Sequence, residues 1–134
     1  MSSAPARYGF LNISNHPSAG WPDAQREAAR AAYGEVTDLE GGFPHVSPRS
    51  SPDELRALAR DIAGRVDART PPPAAIFVAG EHRLTYALVR ELQAARHPCV
   101  CSTTERDATE ALAEDGKTVI KQGIFRFAGW AEYP

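Results

Sequence analysis

The stretch Ala74-Ala-Ile-Phe-Val-Ala79, followed by Gly80-Glu81, decides the fold. Six small or apolar residues run on without polar alternation, the pattern of a strand covered on both faces. Gly80-Glu81 turns the chain. Leu84, Leu88, Leu92 and Ala95 then repeat at helical spacing and predict a helix ending near Arg96-His97-Pro98. A strand buried on both faces that feeds directly into a helix is the unit of a parallel α/β sheet.

Working outward, Cys99-Val-Cys101 continues into Ser102-Thr-Thr-Glu-Arg106, a fourth strand with a polar carboxyl end. Ala108–Glu114 and Lys117–Phe127 flank Asp115-Gly116, a hairpin signal. On the other side, Ser51-Pro-Asp-Glu54 is a capping box with Pro in the first turn. Leu55, Leu58, Ala59, Ile62 and Val66 form one helical face behind it, and Thr70-Pro-Pro-Pro73 ends that helix. Glu35–Leu39 reads as a weaker strand followed by the loop Gly41-Gly-Phe-Pro-His-Val-Ser-Pro48. Trp21-Pro22 starts a helix with Asp23 at its positive end, an Ala24, Ala28, Ala29, Ala32 stripe and Gly34 as its stop. Tyr8–Ile13 is the first strand, Ser14–Gly20 a polar loop and Met1–Arg7 a loose end. The order is β-α-β-α-β-α-β plus a C-terminal β-hairpin. It predicts an α/β fold: a small, doubly wound, mainly parallel, Rossmann-like sheet in one domain over residues 1–134.

The chain has 134 residues, 43% of them hydrophobic, enough for one buried core. Its 15 Lys and Arg against 17 Asp and Glu give a net charge of −2, which argues against a duplex DNA partner. Two cysteines make no disulfide framework, and no apolar run reaches membrane-span length. With no signal-peptide pattern at the N-terminus, the expected location is cytoplasmic.

Ligands of such sheets bind beyond the carboxyl ends of the strands, near the point where strand order reverses. Polar residues concentrate there: Ser14, Asn15 and His16; Gly80, Glu81, His82 and Arg83; Ser102, Thr103, Thr104, Glu105 and Arg106. Hydroxyl, amide and imidazole in Ser14-Asn15-His16 suit ribose, phosphate or proton transfer, and equally an Asx-type loop with an exposed His. Gly80 admits a ligand to the backbone and the next amides offer an anion site, unless Gly80 is a plain turn and Glu81 a dipole partner. Thr103, Thr104 and Arg106 suit phosphate recognition, or form a strand edge with a Glu–Arg pair. Gly80 stands outside any G-x-G-x-x-G spacing, so a dinucleotide is not indicated, and no cofactor is expected. Cys99 and Cys101 read as core, His45 and His97 as exposed loop residues, Trp130 and Tyr133 as packing of the tail.

Phe10-Leu-Asn-Ile-Ser-Asn-His-Pro-Ser18, Trp21-x3-Gln25, Asp38, Phe43-Pro44, Gly80-Glu81, Ser102-Thr-Thr-Glu-Arg106 and the aromatic ending resemble small stand-alone CRISPR-associated proteins of type III systems. Those resemble ring nucleases with CARF-like, Rossmann-like domains. The resemblance implies a homodimer that binds a cyclic oligoadenylate across its twofold axis, with cyclic tetra-adenylate as the first candidate. It implies metal-independent cleavage, in which a 2′-OH attacks the adjacent phosphorus. His16 or His82 would serve acid/base or positioning roles, and Arg106 and Arg83 would contact phosphate. Ser14, Asn15, Thr103 and Thr104 would hold ribose and phosphate, with Gly80, Glu81 and Ser102 beside the ligand. Two features depart from that pattern: Gly41-Gly42 lengthens the loop before Phe43, and Ala131 replaces a basic residue in the tail. The alternatives are a sensor or sponge that binds the ring without cutting it, and an unrelated hydrolase using Ser14 or Ser102.

Overall fold

A computed structural model describes residues 6–134. The strands are β1 (Phe10–Ser14), β2 (Val36–Asp38), β3 (Ala75–Ala79), β4 (Cys99–Leu112) and β5 (Val119–Glu132); the helices are α1 (Asp23–Tyr33), α2 (Pro52–Asp67) and α3 (His82–Ala94). They form one sheet in the order β2-β1-β3-β4-β5. The first four strands run parallel and β5 pairs antiparallel with β4. This is the doubly wound, Rossmann-like sheet expected from the residues, with its order reversing between β1 and β3.

Strand alternation divides the core. Leu11, Ile13, Ile76, Val78 and Cys99 point to one side, where Leu55, Ala59, Ile62 and Val66 of α2 and Leu84, Leu88 and Leu92 of α3 cover them. Phe10, Ala75, Phe77 and Val100 point to the other, against Trp21, Ala29 of α1 and Trp130. Aromatic rings supply the bulk that one Ala-rich helix cannot. Trp130 lies 4.7 Å from Phe10, 5.6 Å from Trp21 and 4.9 Å from Phe77, ring centre to ring centre. The tail packs as expected. Tyr133 joins the α2–α3 side, and its hydroxyl donates to the Val78 carbonyl at 2.6 Å, where β3 no longer pairs with β4.

The helix ends follow their local chemistry. Ser51 Oγ accepts from the Glu54 amide at 3.1 Å, so the capping box forms. Gly34 closes α1 at φ +108°, and the Tyr8 ring lies where a side chain would stand.

Three expectations are corrected. The fourth strand and the first arm of the hairpin are one strand: β4 runs from Cys99 to Leu112, paired with β5 from Val100↔Glu132 to Leu112↔Val119. A register shift at Thr103/Thr104 leaves the ladder continuous on both sides. Polar residues in Ser102–Arg106 resemble a strand end because β4 pairs with β3 only at Cys99 and Val100; beyond that it leaves the sheet in a solvated ribbon.

His97 is buried rather than exposed. Its Nε2 lies 2.6 Å from Asp67 Oδ1 and its Nδ1 3.1 Å from Arg7 Nη1. Nε2–H donating to Asp67 leaves Nδ1 to accept from Arg7. Arg7 also donates to the carbonyls of Pro73 and Arg96, so this residue is anchored rather than part of a loose end. The rest of that expected loose end, residues 1–5, lies outside the described residues.

Candidate functional site at the switch point

The loop after β1 is fastened from beneath. Asn12 and Ser14 alternate with apolar residues on β1 and are buried on the α1 side. Asn12 Nδ2 donates to the His16 carbonyl at 2.9 Å and to Asp38 Oδ1 at 3.1 Å. Ser14 Oγ donates to Asn12 Oδ1 at 2.7 Å, lies 3.1 Å from the His16 carbonyl and accepts from the His16 amide. Trp21 Nε1 donates to the same carbonyl at 3.0 Å, and the Asp38 carboxylate accepts the Ser18 amide. The Asn15 amide donates to the Ala79 carbonyl at 3.2 Å, binding this loop to the end of β3. Asn12 and Trp21 thus both donate to one carbonyl, while the side chains of Asn15 and His16 stay exposed above it. The Ser14 hydroxyl, expected at a ligand, is spent inside this network.

Asn12, Asp38 and Trp21 hold the site but were not picked out as its residues. The available signal was Asn12 itself, a lone amide inside the apolar run Tyr8–Ile13. An unpaired buried amide is costly, so its partners had to lie close by.

At the end of β3 the expected anion site is already filled. Glu81 caps α3: its Oε1 accepts the Arg83 amide at 2.6 Å. That bond is the main cause of its lowered pKa, with the nearby Arg83 charge adding to it. Gly80 makes room for protein rather than ligand, since a Cβ there would stand 2.5 Å from the Phe43 ring. Phe43 therefore seats the lengthened Gly41-Gly42 loop onto the strand end.

Arg83 donates to the carbonyls of Ser50 at 3.0 Å and Ser47 at 3.2 Å, clasping the loop before α2. His82 lines a groove of about 670 Å³ between α2 and α3 together with Arg56, Tyr86 and Arg90. His16, by contrast, is tied to Trp21 on the α1 side.

The third cluster divides at the edge of the sheet. Ser102 faces Trp130 across the ladder, two residues past the last β3–β4 pair. Thr103 Oγ1 donates to the Gly129 carbonyl at 3.0 Å. Thr104 and Arg106 are carried outward on the ribbon, Arg106 roughly 13 Å beyond Ser102 at strand rise. There its guanidinium lies 5.8 Å from the Phe125 ring centre and covers Gly123. The fold thus gathers Ser14, Asn15, His16, Gly80 and Ser102 at one rim, and directs His82, Arg83 and Arg106 elsewhere.

Among the described residues no group of three or more His, Cys, Asp and Glu is arranged to hold a metal ion. Likewise, no helix there is long and apolar enough to cross a membrane.

Residues 9–131 match the family described as the uncharacterized protein MJ1673 family. The chain belongs to that family. The match runs from just before β1 nearly to the end of β5, so sheet, rim and ribbon all fall within it. Comparison with curated proteins and with solved structures gives no match.

Proposed function

We propose that this member of the MJ1673 family is a metal-independent ring nuclease of the cytoplasm. It binds a cyclic oligoadenylate, with cyclic tetra-adenylate as the first candidate, and acts as a homodimer to end type III CRISPR signalling. One observation carries the reading: the His16 carbonyl is held by the Asn12 amide and the Trp21 indole beside the switch point while the imidazole and the Asn15 side chain face solvent. Rigid presentation of exposed polar groups at that point of a doubly wound sheet is what a ligand site needs. The sequence resemblance supports the ligand class.

The reaction asks for positioning and one proton acceptor. The ribose 2′-OH attacks the adjacent phosphorus, the bond to the 5′-oxygen breaks, and the product ends in a 2′,3′-cyclic phosphate. His16 takes the 2′-OH proton, and the departing 5′-oxygen is protonated from solvent or by the same ring. Base catalysis of this kind contributes typically 10²–10⁴-fold.

The test is incubation of the protein with cyclic tri-, tetra- and hexa-adenylate in the presence of chelator. Linear or shortened products are expected; none from any of the three rings rejects the proposal. A second reading, capture without cleavage, draws on the separation of His82 and Arg106 from His16, which leaves one candidate proton-transfer group at the rim. Tight binding with the ring recovered intact selects it.

A further inference from the structure

We propose that the β4–β5 ribbon is a dimerisation arm that clasps a second copy of this chain. From Ser102 to Leu112 the ribbon extends roughly 35 Å past the sheet at ordinary strand rise. Its strands have only each other as partners there. A lone two-stranded ribbon is marginal in water, and its open edges invite pairing.

Register sorts its side chains onto two faces. Phe125, Leu112 and Val119 share the side of Trp130, and Ile120 and Ile124 occupy the opposite side. Phe125 is 68% exposed and Leu112 67%, with Val119, Ile120 and Ile124 also largely open. Counted over both faces, these five residues leave on the order of 500 Å² open to a clasping partner. That is more than half of the roughly 800 Å² each partner buries in a standard interface. The ribbon backbone and edges supply the remainder.

Charge selects the occupant. Between Ser102 and Phe127 stand five carboxylates (Glu105, Asp107, Glu110, Glu114, Asp115) and four cations (Arg106, Lys117, Lys121, Arg126). So balanced a surface gives no attraction to nucleic acid or an anionic membrane. A patch of interspersed signs does suit its own copy about a twofold axis, where each residue pair occurs twice. Because each face carries exposed apolar residues, one flat contact leaves one set open, whereas reciprocal clasping covers both.

The experiment is mass determination on the full chain by sedimentation or light scattering. At micromolar concentration the mass is expected to be twice the 14.5 kDa of the chain. Ile124→Lys/Phe125→Asp should return it to the single-chain value with unchanged circular dichroism and with Cys99 still protected from alkylation. If that variant does not fold, Leu112→Glu/Val119→Lys carries the same expectation. A monomeric wild type, with or without affinity for anionic vesicles, overturns the inference, as does a folded double variant that stays dimeric. The arm rests on the homodimer of the proposed function, and its readout is separate from cleavage. A dimer that cuts no ring refutes ring cleavage alone, a folded double variant that stays dimeric refutes the arm alone, and a monomeric wild type refutes both the arm and the homodimer.

Discussion

The side-chain amide of Asn12 bridges the His16 carbonyl at 2.9 Å and Asp38 Oδ1 at 3.1 Å from inside the sheet. One buried residue therefore sets the height of the β1 loop and links it to the end of β2. Asn12→Asp keeps the shape but exchanges the donor for an acceptor facing two oxygens. Unsatisfied buried partners cost about 1–3 kcal/mol, so denaturant melting should show a loss of that size. Ligand affinity should fall with it. Unchanged stability means the network does not hold the loop.

Gly80 and Phe43 are coupled by a single missing atom. Gly80→Ala drives a methyl group into the ring and should cost about 1–3 kcal/mol as an overpacked contact. In Gly80→Ala/Phe43→Ala the collision is gone, so the double variant should lose less than the two single losses combined. Strict additivity in a double-mutant cycle would refute the contact.

The two cysteines should differ in reactivity. Cys99 is buried, and desolvation pushes its thiol up to about 12, whereas Cys101 is partly open. Thiolate is the reactive form. Brief treatment of the folded protein with iodoacetamide at pH 8, read by peptide mass, should label Cys101 and spare Cys99. Labelling of Cys99 ahead of Cys101 contradicts the burial assigned to β4.

The ribbon turn carries a pH signature. Asp115 accepts the Thr118 hydroxyl at 2.6 Å and the Thr118 and Lys117 amides at 2.8 Å, bonds that hold its carboxyl down at about 2. A depressed folded-state value stabilises the turn above the ordinary carboxyl value of 3.8, and that contribution is lost as pH falls through about 2. Carboxyl chemical shifts should titrate Asp115 well below the ordinary carboxyl value of 3.8. In Asp115→Asn, turn order should be lower at neutral pH and should not change in step with this titration.

His16 and His82 separate the catalytic assignments. His16→Ala should slow ring cleavage by about 10²–10⁴-fold if its imidazole takes the proton. His82→Ala, on the α2–α3 groove, should leave the rate within a few-fold. Quench-flow rates for both variants decide, and the reverse ranking moves the reaction to that groove.

The parallel sheet, its three helices and their ends were legible because each rests on local chemistry. Examples are the unbroken apolar run Ala74–Ala79, the Ser51–Glu54 box and Gly34. The unity of β4 was not. Its outer half is solvated on both faces, so it lacks the apolar alternation that marks a half-buried strand. His97 looked like a loop residue beside Pro98, and its burial depends on Asp67 and Arg7, 30 and 90 positions away. At the rim, residue types pointed to polar chemistry but not to its direction. Ser14 and Glu81 satisfy their own backbone surroundings, and only the fold distinguishes them from Asn15 and His16.

The ladder from Leu112↔Val119 back to Val100↔Glu132 also has a kinetic meaning. Its first pair closes a loop of six residues, and every later pair adds one residue per strand except at the Thr103/Thr104 shift, where β5 adds two, the cheapest order in which distant residues can meet. Pairing that starts at Asp115-Gly116 and runs inward brings Trp130 and then Tyr133 to β3 without a separate long-range search. The ribbon is thus a zipper whose last teeth are core aromatics. A defect near its tip should slow folding of the whole sheet, even though no tip residue touches the core.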